Sequence, residues 1–123
     1  KILRGLRTIM FSKSKEDFFE EFFSDINSIL EDLCQSGFHT VHDSTLRELE
    51  EKGKDAAEYG MQHLSRLLLA LQKELSESRH RVSADKNKYS LCAEYYTELT
   101  AYVERGREKT AYDRGKNYYL TIS

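Results

Sequence analysis

Four side chains able to ligate a soft or borderline metal fall close together at Cys34, His39, His42 and Asp43. Zinc would need such ligands deprotonated and arranged as a tetrahedron. The spacing Cys-x4-His-x2-His matches none of the common zinc ligand sets, and Cys34 reads as a buried member of a helical stripe. His39 and His42 are therefore expected to be interhelical loop residues that hydrogen-bond helix ends. An adventitious or structural metal is the alternative, and no cofactor is expected.

Paired carboxylates recur at Glu16 and Asp17, Glu20 and Glu21, Glu31 and Asp32, and Glu50 and Glu51. Acid–base chemistry needs one positioned pair in a pocket, whereas these residues fill the positions between apolar stripes and read as a solvated face. A ferritin-like di-metal site would need Glu-x-x-His from each of two helices, a doubled motif the chain lacks. There is no Gly-x-Ser-x-Gly elbow, no Gly-x-x-x-x-Gly-Lys loop and no Gly-x-Gly-x-x-Gly fingerprint. His63 and His80 are isolated. The expectation is a protein that is not an enzyme.

Eight tyrosines and no tryptophan give a different kind of candidate. Tyr89, Tyr96 and Tyr102 lie on or beside a helical stripe, where a ring buries apolar area while its hydroxyl reaches the rim. Tyr95, Tyr112, Tyr118 and Tyr119, with Arg105, Arg107, Lys109, Arg114 and Lys116, form a candidate basic aromatic surface. Such a surface could stack bases, bind phosphate or receive an acidic protein.

The elements that must position these residues follow from composition and periodicity. The chain has 123 residues, 39% hydrophobic and 33% charged, and no proline. That length suits one domain. The longest apolar run, Leu67 to Leu71, is far short of the roughly 20 residues that span a bilayer. Without proline, long uninterrupted helices are favoured. Two cysteines far apart, Cys34 and Cys92, suit a reducing compartment, and no secretory leader is evident, so the cytoplasm is the expected location.

Residues 1–13 are a basic lead-in. Ser14 can cap a first helix over 14–36, with its apolar stripe at Phe18, Phe19, Phe22, Phe23, Ile26, Ile29, Leu30 and Leu33. Gly37 should end it. Asp43, Ser44 or Thr45 can cap a second helix running unbroken over 43–79, a rod of roughly 50 Å. Gly53, Ala56, Ala57 and Gly60 place small residues on its packing face, where each glycine costs about 1 kcal/mol against alanine. Close approach by the Phe18 to Phe23 face or by a tyrosine of the next helix would offset that cost. A kink near Gly53 or Gly60 is the alternative. Ser83 or Asp85 can cap a third helix over 83–105, stopped by Gly106, leaving residues 106–123 as a short fourth helix or an irregular extension. The fold expected over 14–105 is all-α, an up-down three-helix bundle with a long central helix.

Charge is segregated along this plan. Residues 15–58 hold 4 basic and 13 acidic side chains, residues 1–13 hold 4 basic and none acidic, and residues 79–116 hold 9 basic and 6 acidic. Attraction between the third helix and the acidic pair accounts for much of this without a partner.

The stretch Ile29 to Leu75 resembles the helical region beside the zinc finger of bacterial SWIM-type proteins. The likeness lies in Ile-Leu-Glu-Asp-Leu-Cys-Gln-Ser-Gly, Ser44-Thr45-Leu46-Arg47-Glu48-Leu49, Ala56-Ala57, Gly60-Met61 and the leucines at 64, 67, 68, 71 and 75. The family's Cys-x-Cys and Cys-x-His ligands are absent, so its metal and nucleic-acid roles transfer to no residue here. The resemblance implies an accessory helical domain of a larger intracellular protein. The expected function is a non-enzymatic interaction or scaffolding domain that binds a protein partner or a second copy as a homodimer. The alternative is nucleic-acid or phosphate binding by the basic, tyrosine-rich C-terminal region.

Overall fold

The apolar period of the first segment produces helix α1, Lys15–Ser36, which buries Phe22, Phe23, Ile26, Ile29, Leu30 and Leu33. The computed structural model describes residues 15–80 and 88–122, with side chains through residue 116. The lead-in 1–13 and the expected caps Ser14, Ser83 and Asp85 lie outside the described residues. After α1 come a 3-10 turn, Phe38–Thr40, and helices α2, Asp43–Glu58, α3, Gln62–Arg79, and α4, Ser90–Ile122. Among the described residues there is no strand, and no helix is long and apolar enough to cross a membrane. The described residues are all-helical, as the periodicity predicts.

The expected central rod is two helices. Gly60 takes a positive φ of 83°, its N–H donates to the carbonyl of Ala57 at 3.2 Å, and the Met61 N–H donates to the carbonyl of Ala56 at 2.8 Å. These two bonds with a left-handed glycine are a Schellman cap, which satisfies the last carbonyls of α2 and reverses the chain within three residues. Gly60 thus serves a turn rather than a packing notch, while Ala56 is fully buried in the core. The α2 start also differs from expectation. His42 holds the cap position with extended backbone and no side-chain cap hydrogen bond.

The two arms, α2 and α3, pack against each other. Gly53 is their close-approach point. A Cβ built there would lie 2.7 Å from both Cγ and Cδ2 of Leu69. The expected occupants of that notch, the Phe18 to Phe23 face or a tyrosine of the next helix, are replaced by a leucine of the facing arm. Leu64, Leu67, Leu68, Leu71 and Leu75 of α3 are all buried, each stabilising the fold by about 1.5–3 kcal/mol.

Helix α4 passes straight through Gly106 and continues to Ile122, so neither a stop at 105 nor an irregular extension is observed. Gly106 is a packing site. Its missing side chain admits the ring of Phe23, whose Cζ lies 2.6 Å from where a Cβ would be. Contacts between α1 and α4 run in opposite chain order: the Tyr96 hydroxyl donates to the Leu30 carbonyl, Phe23 meets Gly106, and Arg114 pairs with Asp17. Between α1 and α2 the order is also reversed, with Lys52 on Asp25 at 3.1 Å and Tyr59 edge-on to Phe18 at 4.6 Å.

Candidate functional site

The metal-like residues do not converge. Cys34 falls at the edge of the α1 stripe, one residue past Leu33, and is exposed rather than buried. His39 and His42 are both exposed. Asp43 is engaged by Arg79 at 2.7 Å, and that hydrogen bond holds its carboxyl below the usual range. Among the described residues no group of three His, Cys, Asp or Glu side chains is placed to hold a metal. Cys92 is buried as expected. Tyr96, beside Cys34, has its phenol pKa raised, first by burial and then by the neighbouring thiol.

The nine candidate residues of the basic aromatic surface separate into groups, because a helix turns about 100° per residue. Arg105, Lys109, Tyr112 and Lys116 recur at spacings of three and four and are all exposed along one outer face of α4. Arg107 and Arg114 point the other way. Arg114 pairs with Asp17 and Glu20 of α1, each at 2.9 Å, and its hydrogen bond to Asp17 raises its pKa further. Arg107 lines a cleft opposite Asp17, Glu20, Glu21 and Asp25. The Arg114 pairs join α4 to the acidic start of α1. Tyr95 is half-buried against the core. Tyr118 and Tyr119 lie on the α4 backbone, with side chains outside the described residues.

The small-residue set also divides by role. Gly53 is the α2–α3 contact and Gly60 the turn; Ala56 is fully buried and Ala57 half-buried.

A groove of about 370 Å³ is assembled from the start of α1, the α2–α3 turn and the middle of α4. Phe19, Phe23, Met61 and Tyr102 give it an apolar floor, and Lys15, Arg105 and Lys109 ring it with positive charge. Asp113 is the acid on the rim, and its 2.9 Å pair with Lys109 raises the lysine pKa and lowers its own. Lys15 sits 5.9 Å over the Phe19 ring, and Tyr102 packs beside His63 at 5.7 Å. Sequence reasoning named Arg105 and Lys109 but not Lys15 or Met61 as surface candidates, because the groove draws on three segments that no local spacing connects. Chemically it can receive a group that is apolar in the middle and anionic at the edge. No family model, no curated protein and no solved structure matches the chain.

Proposed function

We propose that the chain is a non-enzymatic helical interaction module of the cytoplasm, acting through protein–protein contacts or self-association on an up-down arrangement of its helices. The carrying observation is the groove, whose floor of Phe19, Phe23 and Met61 lies beneath Lys15, Arg105 and Lys109. An apolar slot with cationic edges suits a partner segment that is apolar on one side and acidic along its border. The likeness to the helical region beside SWIM-type zinc fingers accords with such an accessory role.

Anilinonaphthalene sulfonate, an apolar anion, is a direct probe of this chemistry. Saturable one-to-one binding is expected, weakened by salt and lost in Met61→Glu, which places an anion on the groove floor. Binding unchanged in Met61→Glu, or none in the folded wild-type chain, would refute the groove reading.

A second reading places nucleic acid or phosphate on α4, because Arg105, Lys109, Tyr112 and Lys116 share one exposed face. Anisotropy with a labelled single-stranded oligonucleotide tests it. Charge-driven binding falls steeply between low and moderate salt, and absence of binding at low salt retires it.

A further inference from the structure

The outer face of α4 carries its charges in blocks. Glu94 and Glu98 lie four residues apart towards its start, and Arg105 and Lys109 lie four apart further on, all exposed. Like charges at this spacing destabilise an isolated helix. At the same spacing the surface also carries opposite-charge neighbours, Lys54 on Glu50 and Lys73 on Glu77, and like-charge ones such as Asp17 and Glu21. Leu91 and Tyr112, the large hydrophobic residues most exposed among the described ones at 40% and 70%, flank the two blocks.

These positions are symmetric about the peptide bond between Ala101 and Tyr102. Laid antiparallel against a second α4 with that bond on the two-fold axis, Glu98 meets Arg105, Glu94 meets Lys109 and Leu91 meets Tyr112, each contact occurring twice. A two-fold interface requires such self-complementarity, in which residue i meets j and j meets i. The seam spans about 32 Å of helix. It faces away from Cys92, Leu99 and Val103, which α4 buries in its own core. Glu94, Glu98 and Arg105 show no ion pair or side-chain hydrogen bond among the described residues, whereas Lys109 would exchange its neighbour Asp113 for Glu94.

We propose that the outer face of α4 is a homodimer seam, in which two copies pair antiparallel through Glu98 with Arg105, Glu94 with Lys109 and Leu91 with Tyr112. This rests on the interaction-module reading and names a second copy as its partner. Charge at the centre of the seam makes the dimer weak and salt-sensitive.

Sedimentation across a wide concentration range tests it through charge exchange. The wild-type chain dimerises increasingly towards about 100 µM. Glu98→Arg alone opposes two guanidinium groups across the seam, and Arg105→Glu alone opposes two carboxylates. Each weakens the dimer by about tenfold or more. The double exchange within one chain restores it, and an equimolar mixture of the two single variants associates although neither does alone. Circular dichroism confirms that every variant remains helical. A wild-type chain monomeric at all concentrations, single variants that dimerise normally, or a mixture that fails to associate overturns the seam. So does a monomer whose Arg105 face binds an oligonucleotide instead. Arg105 and Lys109 belong to both the groove rim and the seam, but Met61 lines the groove alone and Glu98 the seam alone, so Met61→Glu and Glu98→Arg let the groove and the dimer fail separately.

Discussion

Replacing Gly53 with alanine sets two local effects of opposite sign against each other. Alanine in a helix interior is better than glycine by about 1 kcal/mol. At this position the added Cβ lies 2.7 Å from both Cγ and Cδ2 of Leu69, about 1 Å inside the ordinary carbon–carbon contact of ~3.5–4.0 Å. Cγ is not the free end of a side chain, so Leu69 must change its χ1 rotamer or the helices must separate. Overpacking of this kind costs about 1–3 kcal/mol. The net expectation for Gly53→Ala is a loss of about 1 kcal/mol, or roughly 4 °C in Tm for a chain of this size. In a Leu69→Ala background the obstructing atoms are gone and only the helix-propensity gain remains, so the same substitution should stabilise by about 1 kcal/mol. Urea or thermal unfolding of the four chains, followed by circular dichroism, gives the coupling directly. It should be about 2 kcal/mol, well above the ~0.5 kcal/mol scatter of independent sites. Stabilisation by Gly53→Ala in the wild-type background, or additivity of the two changes, would refute the close-approach argument.

Two other substitutions separate conformational from electrostatic causes. At Gly60 a Cβ meets nothing within 4 Å but φ is +83°, so Gly60→Ala should cost about 1–2 kcal/mol from the left-handed backbone alone, with no relief from any neighbouring truncation in unfolding experiments. Arg79 lowers the folded-state pKa of Asp43 below its unfolded value, so this pair contributes stability above the ordinary carboxylate range, and the contribution is lost as pH falls through the folded pKa. Unfolding of Asp43→Asn should accordingly show a shallower loss of stability on acidification than the wild-type chain, and equal slopes would remove Arg79 as the cause.

Much of the helical plan was legible in the chain itself. Hydrophobic side chains at spacings of three and four mark the buried stripe of α1 and the leucines of α3, because a helix repeats every 3.6 residues and that period is a local property. Proline's absence agrees with a chain whose described residues form helices and turns, and Gly37 ends α1 as its type suggests. Glycine was the harder letter to read. Gly53, Gly60 and Gly106 look alike in sequence, yet one admits Leu69, one caps and reverses a helix, and one admits Phe23. Missing side chains create room, and only the facing element determines what fills it. Basic and aromatic residues near the C-terminus were likewise visible as a composition, but the rotation of α4 sends Arg114 onto Asp17 and Glu20 while Arg105, Lys109 and Tyr112 face outward. The groove was illegible for the same reason. Lys15, Met61 and Arg105 are far apart along the chain and meet only because α1, the α2–α3 turn and α4 pack together. Local periodicity determines which face of each helix is apolar; the choice of neighbour, and with it the charge pairs and the groove, is a property of three-dimensional packing.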